Sequence, residues 1–203
     1  TASWANVPNA GSYTVTLKNA DGVTSNPEIK ENASGRYITF DGAKAGAYTV
    51  TVQALPDNAH FELLPSDEIS KTIVRLAPPT GGKLALPASD KDGAITAQWS
   101  KNPLNTDNST PPAGSFESGS QLKLVPRTAG GMQEAANQPA AGGTIASGMD
   151  VTALLQSEAT SGKYGITVQA VGDEDKTLSS QWSVPDPNFD TPIWQIGAAA
   201  GAH

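Results

Sequence analysis

Cysteine and histidine, two side chains on which nucleophilic catalysis often depends, are scarce in this chain of 203 residues. It contains no cysteine and only two histidines, His60 and the terminal His203. His60 lies between Ala59 and Phe61, in a segment that we predict to be a turn between strands. Nucleophilic catalysis needs a base beside the nucleophile and a third group that orients the base. The sequence offers no such set, so we predict no catalytic residues and a protein that is not an enzyme.

Paired carboxylates are the next groups that could do chemistry, because two of them can act as acid and base in glycoside hydrolysis. The candidates are three acidic clusters, Asp67/Glu68, Asp90/Asp92 and Asp173/Glu174/Asp175. All three lie in predicted turns at strand ends, where acidic side chains are solvated. Burial is what raises the pKa of a carboxyl group for acid catalysis. We therefore predict ordinary loop residues at these positions.

Two of these clusters also leave open a calcium site, since they offer several hard oxygen ligands. They are the segments Asp90–Gly93 and Asp173–Asp175. Neither continues with the third acidic residue and the final glutamate of an EF-hand loop. Asp92-Gly93 is instead typical of a tight turn before a strand. We predict no metal ligands and no cofactor-binding residues.

The charge of the chain restricts its partners. Lys and Arg number 13 and Asp and Glu number 20, so the formal net charge is −7. Binding to phosphate groups needs clustered positive charge, which argues against a nucleic-acid partner. No apolar run approaches the ~18 residues that span a bilayer, so we predict no membrane insertion.

The elements that must position these side chains are predicted to be β-strands. Residues Tyr13–Leu17 alternate between apolar and polar, as do Tyr48–Val52 and, apart from one glycine, Tyr164–Val168. Successive side chains of a strand face opposite sides, so the apolar ones are expected to face a core. Further predicted strands are Tyr37–Phe40, Ile69–Leu76, Lys83–Leu86, Ala94–Trp99 and Gln121–Val125. A short helix over Asp150–Glu158 stays open as an alternative to a strand.

One sequence pattern occurs twice. Tyr48-Thr-Val-Thr-Val-Gln-Ala recurs as Tyr164-Gly-Ile-Thr-Val-Gln-Ala, each copy with a tryptophan upstream and a serine-bearing segment downstream. This order predicts a tandem duplication of one fold unit. We predict domains at 1–77 and 83–185, joined by a Pro/Gly linker at 78–82, because Pro-Pro cannot continue a strand ladder. The predicted core residues are Trp4, Tyr13, Val15, Leu17, Tyr48, Val50 and Val52 in the first copy, and Ile95, Trp99, Leu122, Leu124, Tyr164, Ile166 and Val168 in the second.

This arrangement resembles the bacterial fibronectin type III domains of secreted and cell-surface proteins. The run A-G-x-Y-x-V-x-V-x-A of that family is matched at Ala45–Ala54, and the later G-D and D-S-x-W-S elements are matched around Gly172-Asp173 and Ser179–Ser183. The resemblance implies an all-β fold of two tandem antiparallel β-sandwiches of the fibronectin type III/Ig-like kind. The first copy begins almost directly at Trp4, so we expect its opening strand to be missing.

The segment 186–203 follows the second copy and is predicted to be a C-terminal tail with an additional strand. Residues 190–196 alternate, and we hypothesise that they supply a strand to an open edge, in this chain or in a neighbouring one. A plain linker is the alternative. The predicted partner contacts are Trp182, which has no counterpart in the first copy, and the apolar tail residues Phe189, Ile193 and Trp194.

The resemblance implies a non-catalytic structural or interaction module of a bacterial secreted or surface-exposed assembly, with protein partners or self-assembly. Two alternatives stay open. One is a self-assembling filament, sheath or virion decoration subunit that uses β-strand donation. The other is a carbohydrate-binding accessory module of a polysaccharide-degrading enzyme. The expected location, secreted or on a cell or virion surface, follows from the resemblance alone.

Overall fold

Alternating sequences become paired strands through most of the chain, as a computed structural model shows. It describes residues 1–60, 62–87, 93–105, 117–128, 131–132, 145–153, 162–173, 177–185 and 191–193. The strands are β1 Ala2–Trp4, β2 Ala10–Lys18, β3 Thr24–Ser25, β4 Lys30–Asn32, β5 Gly35–Ile38, β6 Gly46–Pro56, β7 Ile69–Arg75, β8 Thr80–Ala85, β9 Thr96–Ser100, β10 Glu117–Thr128, β11 Gly131–Met132, β12 Met149–Asp150, β13 Gly162–Gly172, β14 Thr177–Leu178 and β15 Thr191–Ile193. A 3-10 turn spans Pro103–Asn105. The predicted all-β class is confirmed.

The first part of the chain contributes to two sheets. The larger has the strand order β14-β7-β6-β2-β3 and the smaller has the order β1-β5-β4. Strands β2 and β6 run antiparallel, with Val15 opposite Val52 and Leu17 opposite Val50. Val15 and Leu17 are buried, as is Ile38 from the smaller sheet. The predicted alternation therefore gives the correct inward face in β2.

The later part of the chain forms two further sheets, with the orders β11-β10-β13-β15 and β12-β9-β8. Leu122 lies opposite Val168 and Leu124 lies opposite Ile166, which is the register of β2 and β6 repeated. The buried cluster here comprises Leu84, Ala97, Trp99, Leu122, Leu124, Ile145, Val151, Tyr164, Ile166 and Val168, with Ile95 packed partly buried against it.

The repeated Gln-Ala sequence makes the same hydrogen bonds in both places. The Ala54 N–H donates to Ser66 Oγ at 3.0 Å, and the Ala170 N–H donates to Ser180 Oγ at 2.9 Å. The glutamine that precedes each alanine donates through Nε2 to the carbonyl oxygen of the same serine, at 2.9 Å and 2.7 Å. Each serine thus ties the segment that follows to the long central strand.

Two boundaries differ from those that the sequence predicts. Strand β8 begins at Thr80, inside the segment 78–82 that we predicted as a linker, because Thr80 pairs with Ser100 of β9 directly after the Pro-Pro bend. The register shifts at the two glycines, and the pairing resumes at Lys83. Strand β15 lies beyond the predicted domain end at 185 and pairs antiparallel with Gly162–Tyr164. The tail therefore contributes a strand to the sheet of its own chain.

The predicted alternative of a helix after Asp150 is described only at its start. The Asp150 carboxylate accepts a hydrogen bond from the Thr152 N–H at 2.8 Å, which holds the pKa of Asp150 below its usual range. Thr152 and Ala153 have helical geometry, and the remaining residues, 154–158, lie outside the described residues. Asp150 itself ends β12, so the segment combines both predicted alternatives at its beginning.

Candidate functional site

An apolar cavity of about 570 Å³ lies between the two sheets of the first part of the chain. We call it the N-terminal groove. Strand β1 forms one wall, and strands β2, β6 and β7 form the floor. The side chains that define it are Trp4, Tyr13, Tyr48, Val50, Val52, Ile69 and Ile73.

The groove is open to solvent along β7. Val50, Val52 and Ile73 face it and are only half-buried, and Ile69, which pairs with Val52, is 74% exposed. A row of aliphatic side chains on the inner face of a sheet is normally covered by a second layer. Among the described strands, β1 is the edge of the smaller sheet, so no paired strand extends that layer over the row.

An aromatic pair forms the end wall of the groove. The rings of Trp4 and Tyr13 meet edge-on with their centroids 5.9 Å apart. The Val7 N–H donates to Tyr13 Oη at 2.7 Å, and the Arg36 guanidinium lies 5.7 Å from the centroid of the Tyr13 ring. The Trp4 indole Nε1 is buried and has no hydrogen-bond partner in the described part of the chain. This wall combines a large apolar surface with an indole N–H that has no hydrogen-bond partner among the described residues.

Tyr48 anchors the opposite end. Its ring is 2% exposed and stacks on Phe40 with the centroids 5.6 Å apart. Its hydroxyl donates to the Lys44 carbonyl oxygen at 2.8 Å. Burial raises the pKa of Tyr48, and the nearby Asp41 carboxylate raises it further. Tyr48 is therefore held as a neutral hydrogen-bond donor.

The corresponding position in the later part of the chain is closed. Residues Thr96–Trp99 read TAQW where Thr1–Trp4 read TASW, and β9 pairs along its edge with β8. A Cβ on Gly82 of β8 would lie 3.3 Å from the Ile166 side chain, so only a small residue fits there. Ile166 is 1% exposed, whereas its counterpart Val50 is half-buried. Strand β8 is the element that makes this difference.

A second notable feature joins the two parts of the chain. Strand β14 belongs to the later part by sequence, yet it pairs in parallel with Val74 and Arg75 of β7. The Leu76 N–H donates to the Leu178 carbonyl at 3.0 Å, and Arg75 Nη1 donates to the Ser179 carbonyl at 2.6 Å. We call this set of contacts the junction. Nothing in the alternation pattern signals it, because two residues of parallel pairing carry no periodicity.

Asn105 completes the junction from the 3-10 turn. Its side chain is buried and binds both backbone groups of Ala77: Oδ1 accepts from the Ala77 N–H at 2.7 Å, and Nδ2 donates to the Ala77 carbonyl at 2.8 Å. Nδ2 also donates to a carboxylate oxygen of Glu117, whose other oxygen lies 3.5 Å from Lys101 Nζ. The chain is thereby fixed directly before its Pro-Pro bend.

The predicted partner contacts are only partly described. Trp182 is half-buried, and Lys123 Nζ lies 4.2 Å from the centroid of its ring, so this ammonium group covers part of the indole surface. The backbone of Ile193 lies in β15 opposite Gly162. Phe189 and Trp194 lie outside the described residues. The structure therefore does not bring these four residues together into a described surface.

The candidate chemical groups are dispersed. His60 Nδ1 lies 2.6 Å from Asp57 Oδ1 in the turn between β6 and β7, and this hydrogen bond holds the pKa of Asp57 below its usual range. Asp67 and Glu68 are exposed, as is Asp173. Asp90, Asp92, Glu174 and Asp175 lie outside the described residues. Within the described ranges, no three His, Asp or Glu side chains gather in a way that could hold a metal ion.

Wider comparisons add no assignment. None of the helical segments in the described part of the chain is long and apolar enough to cross a membrane. Searches against known protein families and against curated proteins return no match to this chain.

Proposed function

We propose that this chain is a non-catalytic structural and interaction module of a bacterial secreted or surface-exposed assembly. Its structural role is to hold two β-sandwich units at a fixed spacing and orientation. The observation that carries the proposal is the junction, in which backbone hydrogen bonds join the sheet of one unit to a strand of the other. A Pro/Gly linker alone would leave the two units free to swing.

The tandem fibronectin type III-like organisation is part of this proposal. Its support is the repeated strand register, the repeated serine hydrogen bonds and the Tyr48 hydroxyl bound to a carbonyl four residues upstream. A tyrosine that bonds back to the preceding turn is a hallmark of Ig-like sandwiches. In this interpretation, no strand among the described residues takes the place in the first unit that β8 takes in the second.

The junction supports the spacer role through the directions of its hydrogen bonds. Backbone hydrogen bonds in a strand pair have fixed directions, so rotation of one unit against the other must break several of them. The buried Asn105 adds to the free energy needed to separate the two units, because the N–H and the carbonyl of Ala77 would both lose their hydrogen-bond partner. These features favour one relative orientation.

Distance measurement between the two units tests this proposal. The chain has no cysteine, so Thr14→Cys and Met149→Cys, both at exposed positions, provide two specific sites for spin labels. We expect one narrow distance distribution for the labelled full chain. Asn105→Ala should broaden it, and Asn58→Ala, in an exposed turn, is the matched control that should not. A broad distribution in the otherwise unmodified chain would refute the spacer role.

Self-assembly by strand donation is a second candidate because, among the described strands, none pairs with the outer edge of β1 beside the apolar groove. Light scattering after size-exclusion chromatography, over a wide concentration range, distinguishes the two. A constant mass of 20.8 kDa supports the monomeric spacer. Oligomers that grow with concentration, and that disappear when residues 194–203 are removed, would support a subunit that donates its tail.

A further inference from the structure

We propose that the N-terminal groove is an acceptor site for an extended polypeptide strand supplied from outside residues 1–203. The strand would carry a small residue and, two positions later, an aliphatic one. This goes beyond the spacer role, because it assigns a binding site and the chemistry of its occupant. The observation that carries it is the equivalent groove of the later part of the chain, which β8 fills.

The two sites correspond residue by residue. Thr1–Trp4, which contain β1, match Thr96–Trp99, the first four residues of β9. Strand β9 lies in the middle of its sheet, between β12 and β8. In the described part of the chain, β1 has β5 on one side and nothing paired on the other. The same strand edge therefore occurs twice, and among the described residues only the edge of β9 has a strand, β8, paired with it.

The filled site defines the pattern that the occupant needs. Strand β8 runs antiparallel to β9, with Leu84 opposite Ala97. Leu84 is buried in the core, and Gly82 packs against Ile166. Transferred to the first unit, the aliphatic residue would lie opposite Ala2 and enter the groove. The small residue would pass over Val50.

An extended strand suits this groove better than a compact ligand does. The edge of β1 with which no described strand pairs presents backbone N–H and C=O groups at the spacing of a strand, and pairing with another strand satisfies them in a row. Along the floor, Val50 and Val52 are two positions apart, so they face alternate side chains of an added strand. The cavity of about 570 Å³ accommodates several such side chains.

A fusion tests the site within the full chain. Residues 80–95, which form β8 and lead into Thr96, would be copied directly in front of Thr1. We expect the backbone amide of Ser3 to exchange with solvent at least about tenfold more slowly in the fusion than in the unmodified chain. We also expect the thermal midpoint of the first unit to rise by roughly 4 °C or more. The matched control is the same fusion with Leu84→Asp in the added copy only, which should show neither effect.

Three results would overturn the proposal. The first is equal exchange at Ser3 in the fusion and in the unmodified chain. The second is equal protection by the fusion and by its Leu84→Asp control, since the groove would then not select the pattern of β8. The third is slow exchange at Ser3 in the unmodified chain, which would mean that this chain or a second copy already fills the groove. Light scattering would tell those two occupants apart. Because these readings concern only β1, they are independent of the distance measurement at the junction.

Discussion

Val52 and Val168 are the same residue at the same register position of two matching strands, yet their surroundings differ. Val168 is fully buried, while Val52 is half-buried in the wall of an open groove. The strand pair beneath each is equivalent, since Val15 lies opposite one and Leu122 opposite the other. What differs is the covering layer: it contains β8 beside Val168, whereas beside Val52 the described strands of this layer end at β1. Alternation along a strand chooses the face that turns inward, whereas burial depends on what packs against that face.

The partial exposure of the aliphatic side chains in the N-terminal groove has an energetic consequence. Apolar surface removed from water contributes about 25 cal/mol per Å², so a half-covered row of aliphatic side chains contributes less than a covered one. The first unit leaves Val50, Val52, Ile69 and Ile73 partly in water. We infer that, within residues 1–203, this row of side chains contributes less to stability than its counterparts around Val168.

The largest expected effect is the difference in lost stability between alanine substitutions at Val168 and at Val52. Val168→Ala should lower the free energy of unfolding by about 2–3 kcal/mol, because it removes two buried methyl groups and leaves a cavity. Val52→Ala should lower it by less than about 1 kcal/mol, because water already reaches that side chain. Urea denaturation of both variants, with tryptophan fluorescence and amide exchange as separate probes, measures the difference. Equal losses at the two positions would show that the groove is closed in solution.

The strands themselves were predictable from the sequence. The alternating segments at Tyr13, Tyr48 and Tyr164 all lie inside strands, and the two copies share one register. The predicted core was right for the second copy apart from Ile95, which is partly buried. In the first copy, Trp4, Tyr13, Val50 and Val52 were predicted to be core residues and prove only half-buried. The pattern of a single strand contains no information about the layer that covers it, so the partial exposure of these four side chains could not be predicted from it.

The repeated serines provide the next test. Ser180→Ala removes the acceptor of the buried Ala170 N–H and should cost about 1–2 kcal/mol, because an unmet donor remains in the core. Ser66→Ala removes the equivalent bond to Ala54, but Ser66 is exposed and water can replace its hydroxyl. We expect a loss below about 1 kcal/mol there. A larger loss at Ser66 than at Ser180 would contradict the picture of an open first unit.

The candidate site shows where sequence reasoning stops. A missing opening strand was expected from the position of Trp4, and the groove lies beside that tryptophan. The junction was not foreseen, because Thr177–Leu178 is too short to show alternation and Asn105 lies in a loop-like segment without a motif. The junction joins residues that are far apart in sequence: Arg75 and Ser179 are 104 positions apart, and Ala77 and Asn105 are 28 positions apart. Such pairings depend on tertiary geometry that local patterns do not encode.

The smallest expected effect concerns Tyr48, whose hydroxyl closes the far end of the groove. Burial and Asp41 raise its pKa in the folded state above the ordinary value near 10. The stability that the neutral hydroxyl contributes is therefore present below about pH 10 and is lost as the pH rises through the folded-state pKa. Tyr48→Phe should cost about 1 kcal/mol or less at neutral pH, through the lost bond to Lys44, and should flatten this alkaline decline. Urea titrations of the unmodified chain and of Tyr48→Phe at pH 8 to 11 measure the difference. A decline that persists unchanged in Tyr48→Phe would show that Tyr48 is not the group that titrates.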